Sequence, residues 1–230
     1  MTVPSTPAFA PAPVFTPTLG ILMLRTRFPR PVGDIGNPES FACPVVYRTV
    51  EPATPRTVVR GDPSSLLPLF LVAARELVEA GATILSTSCG FLSLFQRELA
   101  AAMPVPVVTS ALLALAELER PAVLTIEAAN LRASHLEAAG ASADVPVFGL
   151  DETHFSRAIM EDAPTLDVER ARAEHVAAAL ALVRAHPETT DVVLECTNMG
   201  PYAGAIEAAT GRPVHSIVSL LAARIASQRG

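Results

Sequence analysis

A weak internal repeat constrains this chain more than any other feature. Laying residues 84–115 over residues 191–222 keeps a constant offset of 107, so that Cys89 falls on Cys196 (196 − 89), Pro106 on Pro213, Val107 on Val214 and Leu113 on Leu220. In each copy a short apolar run ends at the cysteine and a helical pattern begins after it. A repeated unit of strand, thiol and helix predicts an α/β fold of two pseudosymmetric lobes, each a parallel β-sheet flanked by helices. Parallel sheets bind ligands beyond the carboxyl ends of their strands, which predicts an active site in the cleft between the lobes.

The rest of the pattern supports that reading. Residues 19–24 form a first buried strand and lead into a long segment, 25–63, dense in Arg, Pro, Gly and Asp. Loops of that length in compact domains are usually functional, so it reads as a cover for the site. Helices are predicted at 66–80, 91–102, 110–118, 131–139, 168–185, 203–209 and 219–227, and strands at 82–87, 105–108, 122–126, 146–149, 191–195 and 213–215. The expected organisation is a Pro/Ala-rich arm over 1–17, an N-terminal lobe over 18–120 and a C-terminal lobe over 121–230. The C-terminal helix is free to pack back on the first lobe.

Composition removes several function classes. The chain of 230 residues is half hydrophobic and 17% charged, which suits a globular core. A net charge of −6 argues against a general nucleic-acid binder. All 17 basic residues are arginine, so no lysine is present to form a Schiff base with pyridoxal phosphate or to serve a P-loop. Three cysteines without CxxC or Cys/His ligand spacing predict free thiols, with neither a disulfide framework nor a metal site. Residues 1–17 lack the basic and apolar regions of a secretory signal, and no apolar run approaches the roughly 18 residues that span a bilayer. The expectation is a cytoplasmic protein with no membrane partner.

The chemistry sits at the two cysteines. A thiol at a strand end and helix start meets the helix dipole, which favours thiolate, and free backbone N–H groups there bind anions. Thr87, Ser88, Gly90, Thr197 and Asn198 surround the thiols with short polar groups or open backbone suited to a carboxylate. Arg27 is the best placed of Arg25, Arg27 and Arg30 to grip a distal carboxylate. Asp34 reads as a turn cap, Glu195 as a group that would raise the Cys196 pKa. His135, His175 and His186 read as solvent-facing or capping, and Cys43 as a small packed side chain.

The runs Thr87-Ser88-Cys89-Gly90-Phe91 and Leu194-Glu195-Cys196-Thr197-Asn198-Met199, with Pro201-Tyr202 after the second, resemble the aspartate/glutamate/hydantoin racemase superfamily. Leu124-Thr125, His135-Leu136-Glu137 and Gly140 add to the likeness, as do Thr26-Arg27-Phe28-Pro29-Arg30 and Gly33-Asp34-Ile35-Gly36-Asn37. The resemblance covers the chain from Leu19 to about Ala223. It implies a cofactor-independent isomerase in which one cysteine removes a proton α to a carboxylate and the other returns one to the opposite face. It makes Thr125 a substrate-binding candidate, and it is compatible with a homodimer. The implied substrate is a small carboxylate-bearing molecule, an amino acid or a hydantoin. Members of the superfamily also include maleate isomerases and arylmalonate decarboxylases, so a cis–trans isomerase or a lyase is the alternative on the same fold. An alternative of another class is a catalytically lapsed protein that binds a small anion. Gly90-Phe91 and Asn198 depart from the glutamate-racemase pattern, which has Asn-Thr after the first cysteine and His two residues after the second.

Overall fold

β1 (Leu19–Leu24) is apolar without alternation, as a strand covered on both faces must be. In the computed structural model, which describes residues 17–228, it lies between β2 (Val45–Val50) and β3 (Ile84–Thr87), and β4 (Val107–Val108) completes the order β2-β1-β3-β4. In the second sheet β5 (Pro121–Thr125) lies between β6 (Val147–Gly149) and β7 (Asp191–Leu194), with β8 (Val214–His215) outermost, giving β6-β5-β7-β8. Every pairing is parallel. The 107-residue offset carries β3 onto β7 and β4 onto β8, so the two sheets share one topology. The arm expected over 1–17 lies outside the described residues except for Pro17.

Helices cover the sheets: α1 (Pro55–Val59), α2 (Leu67–Glu79), α3 (Gln96–Ala102), α4 (Ala133–Ala138), α5 (His154–Met160), α6 (Val168–Ala185), α7 (Ala203–Thr210) and α8 (Ile217–Ser227). α2 buries Phe70, Ala73, Ala74 and Leu77, an i, i+3, i+4, i+7 stripe. α6 starts where the Asp167 side chain accepts from the Arg170 amide, and it buries Ala171, His175, Ala179 and Leu182. α8 returns to the first lobe, where Arg224 donates to Glu117 at 3.3 Å. No described helix is long and apolar enough to cross a membrane.

Three expectations need correction. The segment 25–63 is not a bare loop, because it contains β2 and α1. β2 is an edge strand with Arg48 and Thr49 exposed, so its apolar signal is diluted. Residues 154–160, left without structure by the pattern, form α5, capped by the Thr153 hydroxyl. His135 and His175 are buried and not solvent-facing, although His135 does cap α4, its Nδ1 accepting from the Arg132 amide at 3.1 Å. His175 stacks on Tyr202 with ring centroids 4.2 Å apart and meets Phe155 edge-on at 4.4 Å.

His175 makes stability depend on pH. Its Nδ1 lies 2.7 Å from the Ala171 carbonyl, its Nε2 has no partner, and burial pushes its pKa down to about 4. The unfolded value is about 6.5, so the contribution is fully present above that pH and lost as pH falls toward 4, a change of roughly 3 kcal/mol. Urea midpoints are therefore expected to fall between about pH 7 and pH 4.5, and less steeply in His175→Leu.

Candidate functional site

Each cysteine follows a buried strand directly. Cys89 comes two residues after β3 and opens a 3-10 turn over Gly90–Phe95; Cys196 comes two residues after β7, ahead of the 3-10 turn Gly200–Tyr202. The Thr197 hydroxyl ties the two strand ends together by donating to the Ser88 carbonyl at 2.7 Å, and the Ser88 hydroxyl, accepting from the Leu24 amide at 2.8 Å, fixes the first of them to β1. The close approach needs a glycine at position 90. A Cβ there would collide with the carbonyl and the Oε1 of Glu195.

Both thiols open on one narrow cavity of about 20 Å³, room for little more than a water molecule. Its wall is mainly apolar and comes from segments far apart in the chain: Leu24, Phe28, Val59, Phe91, Ile126 and Ile159, with Thr26, Ser88, Glu195 and Asn198. Segment 25–63 does cover the site. Gly33, at φ +100°, lies against Gly200 and Pro201, and neither Gly33 nor Gly200 has room for a side chain. Ion pairs clasp the cover to the second lobe. Arg60 holds Glu127 with both Nε and a terminal nitrogen, while Arg27 reaches Asp162 at 3.1 Å.

The two thiols are not equivalent. Asp34 is buried and accepts from Arg30 at 2.7 Å, from the Gly36 amide at 2.7 Å and from Asn198 Nδ2 at 2.7 Å. That last bond orients the Asn198 amide, because an amide that gives its NH₂ to a carboxylate must turn its oxygen the other way. Its Oδ1 then accepts from Cys196 Sγ at 3.5 Å and holds the thiol proton in place. Cys89 has no such side-chain acceptor among the described hydrogen bonds, and the Leu92 amide donates to its carbonyl at 3.1 Å. The Asn198 acceptor therefore makes Cys196 the better thiol and leaves Cys89 as the better thiolate.

Burial overrides the expected effect of the helix starts. It pushes both thiols well above their ordinary range, the Glu195 charge adds to that push, and the backbone amides only partly oppose it. A six-residue 3-10 turn carries little dipole, and the closed pocket holds little water to solvate a thiolate. Glu195 is itself raised by burial, to about 8, against the hydrogen bonds from Thr125 and the Ile126 amide. Once ionised, a thiolate of raised pKa is a stronger base toward a weak carbon acid.

Of the residues expected to bind substrate, Ser88 and Asn198 line the pocket beside the cysteines, and Thr87, Gly90, Thr125, Thr197 and Arg27 do not. The Thr87 hydroxyl lies 2.9 Å from the Cys89 carbonyl and 2.7 Å from that of Thr109; Thr125 donates to Glu195 at 2.7 Å. These hydroxyls brace the framework. Arg27 has 76% of its side chain exposed and serves the clasp, whereas Arg30 is half-buried, 4.6 Å over the Phe28 ring. The apolar wall escaped the sequence reading because its residues share no motif. Glu127 and Arg60 escaped it too, since their pairing spans the lobes. Among the described residues no cluster of three His, Cys, Asp or Glu side chains is placed to hold a metal ion.

Known proteins of this shape share one architecture. A point mutant of arylmalonate decarboxylase in its sulfate-associated form superposes with a TM-score of 0.64 at 19% identity, covering 92% of this chain and 94% of that one. Allantoin racemase from Pseudomonas fluorescens gives 0.57 at 16%, covering 91% and 89%, and Picrophilus torridus aspartate racemase gives 0.56 at 13%, covering 93% and 94%. The chain has the fold of the aspartate/glutamate/hydantoin racemase superfamily. Among curated proteins it is similar to a dimethylsulfoniopropionate lyase of Durusdinium sp. clade D, 28% identical over 216 residues, covering 87% of this chain and 71% of that protein. It is also similar to dimethylsulfoniopropionate lyase 6 of Emiliania huxleyi, 29% identical over 234 residues, covering 92% and 60%. No family model matches.

Two outcomes follow from the geometry. Iodoacetamide at neutral pH is expected to alkylate Cys89 before Cys196, as read by peptide mass mapping, and the reverse order contradicts the assigned asymmetry. Gly90→Ala is expected to cost about 1–3 kcal/mol in urea unfolding, because its methyl group must displace Glu195.

Proposed function

We propose that this protein is a cofactor-independent lyase that removes a proton α to a carboxylate and expels a sulfide from the neighbouring carbon, with dimethylsulfoniopropionate as the substrate. The observation that carries the reading is the pocket: two thiols face a mainly apolar wall with the Phe28 and Phe91 rings in it. Such a wall suits a β-substituent that makes no hydrogen bonds. Aromatic faces also attract a sulfonium cation. The curated relatives are lyases of this substrate, which supports the same outcome over racemisation.

The residues fit an elimination. Cys89, without the acceptor that Asn198 gives the Cys196 thiol, takes the α-proton as thiolate. The electron pair of that C–H bond becomes the new double bond, and the Cβ–S bond breaks with its pair leaving on neutral dimethyl sulfide. Acrylate remains, and Cys89 passes its proton to solvent. Proton abstraction by a positioned base contributes about 10²–10⁴-fold, so stabilisation of the developing ene-diolate must supply much of the rest. The Gly90 and Phe91 amides open the turn after Cys89 without an intrahelical acceptor and can serve that charge. Cys196, with its proton held toward Asn198, stands as the donor thiol.

A second reading is racemisation of a small carboxylate, favoured by the matched placement of two thiols at two strand ends. Incubation with dimethylsulfoniopropionate separates the two. Equal yields of dimethyl sulfide and acrylate are expected, falling by about 10² or more in Cys89→Ser. Absence of dimethyl sulfide, with α-deuterium uptake into other carboxylates from heavy water, would assign the protein as a racemase instead.

A further inference from the structure

Among the described residues Glu195 is the one ionisable side chain in the pocket wall besides the thiols, and it is fully buried. Its Oε2 accepts from the Thr125 hydroxyl at 2.7 Å, and its Oε1 is enclosed without a partner. The carboxyl group lies against the α-carbon of Gly90, next to Cys89, and its own main chain continues into Cys196. It is wedged between the two thiol loops. A charged carboxylate with an unpaired, enclosed oxygen costs far more than the neutral acid.

We propose that Glu195 and the two thiols hold their protons as one coupled unit, in which a thiolate forms at Cys89 only while Glu195 is protonated. The inference rests on the two-thiol reading of the pocket and not on the identity of the substrate. Burial raises Glu195 to about 8, and its negative charge, where present, raises both thiols further. Other charged groups facing the unit are held in pairs. From the cover Asp34 is tied to Arg30 and Asn198, and at the pocket edge Glu127 is tied to Arg60. His135, edge-on to Phe91, is lowered to about 4 and is neutral across the relevant range. Glu195 is thus a positioning residue that acts through the thiols.

The consequence is a stall in thiolate formation. Below about pH 8 the Cys89 thiolate rises tenfold per pH unit; above it the first proton to leave is that of Glu195, and the thiolate fraction levels off. Alkylation of Cys89 by iodoacetamide reads this without substrate. The rate in Glu195→Gln relative to the unsubstituted protein is expected to be near unity at about pH 7 and about tenfold at about pH 9. A ratio that does not change with pH overturns the proposal, and a purely structural role for Glu195 gives that result. Should the variant misfold by circular dichroism, the unsubstituted protein decides alone. A profile that flattens near pH 8 supports the coupling, and a tenfold rise per unit through about pH 9 overturns it. Thiolate ultraviolet absorbance in a Cys43→Ser background gives the same comparison without reagent entry.

Discussion

The site depends on how closely two strand ends approach each other. Residues 89–90 and 195–196 come from different sheets, and they meet only because position 90 has no side chain and Glu195 fills the space. The Thr197 hydroxyl on the Ser88 carbonyl fixes the same approach from the other side. Both thiols then share one closed pocket, and the groups around them lose water. That loss raises the thiols and Glu195 together, so the protonation of the site follows from its packing.

Pseudosymmetry builds this arrangement and the cover breaks it. The two sheets repeat one strand order, yet only the first carries segment 25–63 over its strand ends. Through Arg30 and Asp34 that segment orients Asn198 and so gives Cys196 a proton acceptor that Cys89 lacks. An elimination needs one base, and a racemisation needs two that exchange roles. The asymmetry therefore bears on the outcome of the reaction as well as on its rate.

Much of this was legible in the chain where one signal dominated. β1 and α6 have the predicted bounds, one as an unbroken apolar run and the other as a helix starting at an Asp cap. β2 was hidden by its exposed Arg48 and Thr49 and by Pro44 and Pro52 beside it, although the repeat could have revealed it, because β6 needs a mate. The thiols were legible through the repeat. The hydroxyls of Thr87, Thr125 and Thr197 read as ligands for substrate, since a hydroxyl at a strand end serves backbone or ligand equally well; here they brace backbone and Glu195. The apolar wall could not be read, because Leu24, Val59, Ile126 and Ile159 converge only in the folded chain.

The central claim is that a thiol in this pocket breaks a C–H bond α to a carboxylate. Dimethylsulfoniopropionate deuterated at that carbon tests it most directly, by comparing kcat/KM for release of dimethyl sulfide with that of the unlabelled substrate. The deuterated substrate is expected to react several-fold more slowly, with an equal slowing of acrylate release. Turnover that releases dimethyl sulfide at the same rate from both substrates would contradict proton abstraction by Cys89 as the step that commits the substrate.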